Sequence, residues 1–84
     1  MKVTLKLYAS LSDYLPPEGR NTNAIALDVA VGTTIGDIVK RYALPEKSCH
    51  LVLIDGNFVA PAARAARVLQ DGETLAIWPP VAGG

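Results

Sequence analysis

The stretch that decides the fold is residues 33–45, TTIGDIVKRYALP. Thr34 and Asp37 have the spacing of a capping box, in which two side chains satisfy backbone N–H groups at the start of a helix. Apolar residues follow at the spacing of an amphipathic helix, namely Ile35, Ile38, Val39 and Tyr42. Pro45 marks the end of the segment. The sequence therefore predicts one main helix of about nine residues, with an apolar stripe that packs on a sheet.

Segments with strand patterns flank this helix on both sides. Residues 2–7 alternate apolar with polar positions, and residues 24–29 alternate large apolar residues with Ala or Asp. The two segments are close enough in sequence to pair. After the helix, residues 51–54 form a continuous apolar run, which indicates a strand whose two faces are both covered or used. Residues 57–60 read as a short return strand and residues 74–78 as a last strand. The order predicts an α+β fold, with a mixed sheet of four to five strands and the helix on one face.

The connections carry turn signals of different strength. Ser10 to Leu15 predicts a short helical turn that Ser10 caps, with Asp13 reaching back to its start. Residues 16–23 begin with two prolines and predict a polar loop.

Two Asp-Gly pairs, at 55–56 and 71–72, predict tight turns. The Ala-rich residues 61–67 fit either a helical turn or a loop.

Composition excludes several classes of protein. The 84 residues suit one domain, half of them are hydrophobic, and eight basic residues balance eight acidic ones. Zero net charge gives no electrostatic case for nucleic acid or an anionic membrane as a partner. One cysteine excludes a disulfide framework and a multi-cysteine metal site, so we expect no metal. No apolar run reaches the roughly 18 residues of a membrane helix, and no signal peptide opens the chain. These features predict a cytoplasmic domain.

The segment that follows the last strand is the most informative part of the sequence. It reads Pro79-Pro80-Val81-Ala82-Gly83-Gly84, with side chains that shrink toward the end. The prolines favour an extended path, and glycines fit a narrow channel that would exclude larger side chains. We predict a domain over residues 1–80 and a flexible tail over 81–84, with the carboxylate of Gly84 as the reactive group. The alternative is an ordinary frayed terminus.

The final segment, DGETLAIWPPVAGG at residues 71–84, resembles the C-terminal signature of the MoaD/ThiS family of sulfur carriers. The resemblance extends over the whole chain and implies the ubiquitin-like β-grasp fold, in agreement with the predicted order of elements. The Pro-Pro-Val-Ala-Gly-Gly ending is most similar to the small subunit of molybdopterin synthase.

The resemblance also implies a mechanism. An adenylyltransferase of the ubiquitin-activating type would use ATP to form an acyl-AMP at Gly84, and a sulfur donor would convert it to a thiocarboxylate. The residues Val81, Ala82 and Gly83 would thread into the active site of the molybdopterin synthase large subunit, where the sulfur is delivered. In this scheme the chain binds no cofactor stably, and whether a carrier subunit counts as an enzyme is a matter of definition.

Other functions stay open at this stage. A carrier for thiamine or cysteine biosynthesis would instead have a thiazole synthase or a cysteine synthase as its partner. A ubiquitin-like modifier would join Gly84 to lysines of other proteins, and a plain binding module would need no terminal chemistry.

Candidate contacts with a partner lie close to the tail. Alternation along the last strand places Trp78 on the face opposite Leu75 and Ile77, where it can contact a partner, or else it packs within the sheet. Phe58 and Val59 could extend an apolar patch, or could simply belong to the core. The predicted interface comprises Phe58, Trp78, Pro79, Pro80, Arg64 and Arg67, although a solvated polar face is the commoner role for the two arginines.

The pair Cys49-His50 suggests a nucleophile beside a base. Neighbours on a strand point to opposite faces, however, and cysteine is often buried, so a structural role is favoured for Cys49. His50 lacks the further ligands of a metal site.

Overall fold

The computed structural model describes residues 1–80, so the predictions for Val81, Ala82, Gly83 and Gly84 concern residues outside the described range. Five strands form one sheet: β1 (Lys2–Leu7), β2 (Ala24–Asp28), β3 (Leu51–Ile54), β4 (Asn57–Phe58) and β5 (Thr74–Trp78). Two α-helices are present in this range, α1 (Pro17–Arg20) and α2 (Ile35–Arg41), with 3-10 turns at Ala9–Tyr14, Glu46–Ser48 and Pro61–Ala63.

The sheet is mixed, with the strand order β2-β1-β5-β3-β4. The central strands β1 and β5 are parallel, whereas β2 pairs antiparallel with β1, and β3 pairs antiparallel with both β5 and β4. It follows that β2 and β3 run in the same direction on either side of the central pair, as a helical crossover between them requires. The predicted α+β architecture with a mixed sheet is confirmed.

The core lies between the sheet and α2. Side chains from one face of β1, β3 and β5 pack with the apolar stripe of α2 and with residues from the connecting turns. The largest fully buried side chains are Leu5, Leu7, Leu11, Leu15, Ile35, Ile38, Val52, Leu69, Leu75 and Ile77. The core therefore fixes which face of β1, β3 and β5 points inward.

The ends of α2 explain why this helix forms. The Thr34 side chain accepts a hydrogen bond from the Asp37 N–H at 3.1 Å, and the Asp37 carboxylate accepts one from the Thr34 N–H at 3.0 Å. The predicted capping box is thus confirmed. At the other end, Leu44 N–H donates to Val39 C=O and Ala43 N–H to Lys40 C=O, which is the Schellman pattern. The helix has seven residues, slightly fewer than predicted.

Two predictions for the first connection are wrong. The turn at Ala9–Tyr14 has Tyr8 as its N-cap and no side-chain cap, so Ser10 does not cap it. Buried Leu11 and Leu15 hold this turn on the core instead.

The predicted loop over residues 16–23 contains the one-turn helix α1, which begins with a proline at its first position. A Cβ on Gly19 would lie 2.8 Å from the Ala24 carbonyl oxygen, so glycine allows α1 to pack closely against β2.

Both Asp-Gly turns form where they were predicted, with positive φ angles of 83° at Gly56 and 84° at Gly72. The return strand β4 is shorter than expected because it ends at Phe58. The segment after it combines both predicted forms, a 3-10 turn at Pro61–Ala63 followed by irregular chain. In the described range, no helix has the length and apolar character needed to cross a membrane.

Candidate functional site

An apolar patch covers the sheet face opposite α2. Residues directly opposite each other in paired strands share a face, and Leu51 lies opposite Trp78, while Leu53 lies opposite Phe58. Their neighbours along β3 and β5 are fully buried on the other side. Because Leu51, Phe58 and Trp78 are 36%, 58% and 40% exposed, this face offers apolar surface to a partner. We call Tyr8, Leu51, Leu53, Phe58 and Trp78 the sheet patch.

Trp78 is held in place by an aromatic stack. Its ring lies 3.8 Å from the ring of Tyr8, centroid to centroid, with only 8° between the planes. The prediction that Trp78 lies on the face opposite Leu75 and Ile77 is confirmed, and its ring packs on Tyr8 at the end of the neighbouring strand. One face of the Trp78 ring therefore packs on Tyr8, while 40% of the residue stays exposed to a partner.

Phe58 and Val59 have different environments. Phe58 is exposed on the sheet patch, whereas Val59 is partly buried and packs against the core. Of the two roles left open for Val59, packing against the core is therefore the one observed, because consecutive residues of an extended chain point in opposite directions.

The end of β5 is anchored on both sides. Tyr8 N–H donates to Ile77 C=O at 3.2 Å, and His50 N–H donates to Trp78 C=O at 3.1 Å. Beyond Trp78, Pro79 is half-buried and Pro80 is exposed. The point from which residues 81–84 continue is thus fixed by the sheet beside the sheet patch.

Arg64 bonds extensively within the chain. Its guanidinium group donates to three backbone carbonyls, those of Cys49 at 2.7 Å, Val59 at 3.0 Å and His50 at 3.1 Å. It also lies over the Phe58 ring, 5.8 Å from the centroid. This geometry makes Arg64 a clamp between two segments, and a direct contact with a partner stays a prediction.

Arg67 forms an ion pair within the chain. Its guanidinium donates to both carboxylate oxygens of Glu73, at 3.2 and 2.8 Å. The Gln70 N–H also donates to this carboxylate at 2.7 Å. The bond from Arg67 is the main reason why the pKa of Glu73 lies below its ordinary value. A contact of Arg67 with a partner likewise stays a prediction.

Cys49 is buried, and its thiol lies 3.5 Å from the Pro45 carbonyl oxygen. Burial raises the pKa of the Cys49 thiol, an effect that nearby Arg64 partly opposes. A neutral thiol is a weak nucleophile, so the geometry favours the structural role. Within residues 1–80, no three His, Cys, Asp or Glu side chains cluster as metal ligands.

Comparison with models of known families identifies the family of this chain. The family model described as Mut7-C ubiquitin matches residues 1–83. The chain belongs to the Mut7-C ubiquitin family. The predicted ubiquitin-like relationship is thereby confirmed. Among curated proteins, none matches the sequence significantly.

Solved structures share the fold of this Mut7-C ubiquitin. SAMP1 from Haloferax volcanii has a TM-score of 0.68 and 23% identity over 100% of both chains. The HVO 2177 protein of the same organism has a TM-score of 0.72 and 24% identity, over 100% of this chain and 87% of its own. A protein described as molybdopterin converting factor subunit 1 from Pyrococcus furiosus has a TM-score of 0.67 and 16% identity, over 95% and 98%. At these identities the likeness establishes the ubiquitin-like β-grasp fold.

Three members of the sheet patch, Tyr8, Leu51 and Leu53, were not singled out from the sequence. Tyr8 directly follows β1 and continues the alternation of the half-buried positions Thr4 and Lys6, which was the available signal. Its stacking on Trp78 depends on the β1–β5 pairing. Leu51 was part of the apolar run predicted to have both faces covered or used, and its exposure on the patch agrees with that interpretation.

Proposed function

We propose that this Mut7-C ubiquitin is a sulfur carrier whose Gly84 carboxyl group is converted to a thiocarboxylate. The observation that carries the proposal is the anchored end of β5 beside the sheet patch, followed in the sequence by Val81-Ala82-Gly83-Gly84. A rigid domain that docks through an apolar surface and extends a segment of small residues suits delivery of a terminal group into a partner's active site.

The proposed chemistry has two steps, which take place at the terminal carboxyl group and do not use the side chains of this protein. The Gly84 carboxylate attacks the α-phosphorus of ATP in the activating enzyme, which gives the acyl-AMP and releases pyrophosphate. A hydrosulfide equivalent from the sulfur donor then attacks the acyl carbon and displaces AMP, leaving the thiocarboxylate. Residues 81–83 would pass through the partner's channel, where glycine and alanine need little width.

For the receiving pathway we propose molybdopterin synthesis, with the synthase large subunit as partner. The supports are the Pro-Pro-Val-Ala-Gly-Gly ending and the fold shared with a protein described as a molybdopterin converting factor subunit. The second candidate is a ubiquitin-like protein modifier, which is favoured by the match to a ubiquitin family and by the shared fold with SAMP1.

The first experiment tests the terminal chemistry. Intact mass spectrometry of the protein from its native cell establishes whether Gly84 is the last residue. The purified chain is then incubated with the cognate activating enzyme, ATP and sulfide, and we expect a mass gain that equals replacement of one oxygen by sulfur. A variant without Gly84 is the control. An unchanged terminus would refute the carrier function, and higher-mass conjugates on lysines would support the modifier instead.

The second experiment tests the docking surface. Trp78→Ala should weaken binding to the receiving partner by 2 kcal/mol or more, as roughly expected for an aromatic hot spot. Val31→Ala is the matched control, since Val31 is 90% exposed in the connection before α2 and lies off the sheet. Equal affinities of both variants would remove the sheet patch from the proposal.

A further inference from the structure

A second concave surface lies on the α2 side of the molecule, away from the sheet patch. It is a groove of about 730 Å³ between α2, the segment 43–50 and the segment 61–65. The groove is open to solvent along one side. We call it the helix groove, and neither the proposed sulfur chemistry nor the sheet patch uses it.

The floor of the helix groove is apolar. Val39 is half-buried, Leu44 and Cys49 are buried, and Ala43 and Pro61 add small apolar surface at the edge. Such a floor can accept an aliphatic side chain, since ligand sites are mostly apolar with a few polar groups that fix orientation.

The rim of the helix groove carries an excess of positive charge. Lys40, Lys47 and Arg64 line it, against a single carboxylate, that of Glu46. Within residues 1–80, neither Lys40 nor Lys47 has a carboxylate within ion-pair distance, and the hydrogen bonds of Arg64 go to neutral carbonyls. The whole chain has a net charge of zero, so the residues outside the groove together carry a matching negative excess.

We propose that the helix groove binds an acidic peptide segment of a partner protein, with an aliphatic side chain on the floor and flanking carboxylates on Lys40 and Lys47. Clusters of cations recognise acidic segments in this way. A peptide fits better than a compact small molecule because small-molecule sites enclose most of the ligand, whereas this groove is open on one side. The proposal does not depend on the chemistry proposed for Gly84.

The helix groove is connected to the sheet patch through Arg64, so a peptide bound in the groove would also contact the residues that hold the end of β5. Arg64 bridges the groove and the sheet patch, since it donates to His50 C=O and lies over Phe58. His50 N–H in turn donates to Trp78 C=O at the end of β5. A bound segment would therefore contact the same framework that anchors the tail.

The test uses a fluorescein-labelled peptide Glu-Leu-Glu-Glu-Leu-Glu and the full chain, read by fluorescence anisotropy. We expect saturable binding, which Lys40→Glu combined with Lys47→Glu weakens about tenfold, as two lost ion pairs allow. The control, Lys2→Glu combined with Lys6→Glu, makes the same charge change on β1 and should leave the affinity unchanged. Absence of binding, or equal weakening by both double variants, would overturn the proposal.

Further arms of the test identify the occupant. Amide chemical shifts should move at residues 36–50 and 61–65, and shifts confined to β3 and β4 would refute the site. A peptide in which glutamine replaces glutamate should bind about tenfold or more weakly, because it loses the same ion pairs. If a chain that ends at Pro80 binds the acidic peptide much more tightly, the occupant is the chain's own terminal segment, and the proposal of a partner segment is wrong. Tighter binding of a single-stranded oligonucleotide than of the peptide would also overturn it.

Discussion

Replacement of Arg64 by methionine tests whether this residue is a structural clamp. The side chain donates to the carbonyls of Cys49 and Val59, which are partly buried, and to the exposed carbonyl of His50. Methionine keeps the apolar stem but removes every donor. A buried carbonyl that loses its partner costs roughly 1 kcal/mol or more, whereas the exposed one recovers a hydrogen bond from water. We therefore expect Arg64→Met to lower the free energy of unfolding by about 2 kcal/mol.

Urea denaturation measures this loss. With a denaturant slope of about 1 kcal/mol/M for a small domain, the midpoint should fall by about 2 M. Arg64→Lys keeps the charge but reaches fewer of the carbonyls, so it should recover only part of the loss. The matched control is Arg41→Met, because the Arg41 guanidinium lies 5.9 Å from the centroid of the Tyr42 ring on an exposed part of α2.

Two outcomes would contradict the role of Arg64 as a structural clamp. If Arg64→Met is as stable as the Arg41→Met control, the three hydrogen bonds contribute nothing, and a role in partner contact regains support. If Arg64→Lys restores full stability, charge rather than the forked geometry of the guanidinium is what matters.

The remaining predictions concern the ends of α2 and one carboxylate. Thr34→Ala should lower stability by about 1 kcal/mol, because the Asp37 N–H loses the Thr34 hydroxyl as its acceptor; thermal unfolding measures this, and an unchanged midpoint would contradict the cap. Ala43→Gly should raise stability by about 0.5–1 kcal/mol, because Ala43 has a φ of 53° at the position where helices prefer glycine; a lower stability in urea would refute this. Glu73 has a lowered pKa through its bond from Arg67, so its stabilisation is present above its ordinary pKa of 4.5 and is lost as pH falls below that value. The stability difference between wild type and Glu73→Gln should therefore shrink below pH 4.5, and a constant difference would count against the ion pair.

The strands and the main helix could be predicted because their signals are local. Alternation in β1 and β5 correctly assigned the buried and exposed faces, and the spacing of Thr34 and Asp37 located the start of α2. Trp78 was placed on the open face by parity alone. Each of these inferences needs only the period of the element and the residue types at its ends.

The errors arose where tertiary contacts outweigh local signals. Ser10 has a capping side chain, but the turn at Ala9–Tyr14 is held by Leu11 and Leu15 in the core, and its backbone starts at Tyr8. The helix α1 depends on the close approach of Gly19 to β2, a contact that no local pattern reveals.

The two arginines show that the functional roles of residues are equally hard to predict from local sequence signals. The sequence offered Arg64 and Arg67 as a pair three residues apart, which suggested similar roles. In the structure, Arg64 bonds to carbonyls up to fifteen residues away, whereas Arg67 pairs with Glu73. The partner of a long charged side chain is set by the packing of loops, so the spacing of charges along the chain does not identify it.

Within the five residues of β5, alternate side chains serve two purposes: those on one face stabilise the core, and those on the other face are available to contact a partner. Leu75 and Ile77 are fully buried and hold the strand on the core, while Trp78 stacks on Tyr8 and faces outward. Because neighbouring positions point to opposite faces, the outward surface can change without loss of the core, and the core can hold the strand end still without covering that surface. Rigidity of this strand end limits the conformational cost of presenting a terminal segment to a partner. The carrier function proposed for this ubiquitin-like domain requires this combination of a strand end fixed by the core and an outward surface free to contact a partner.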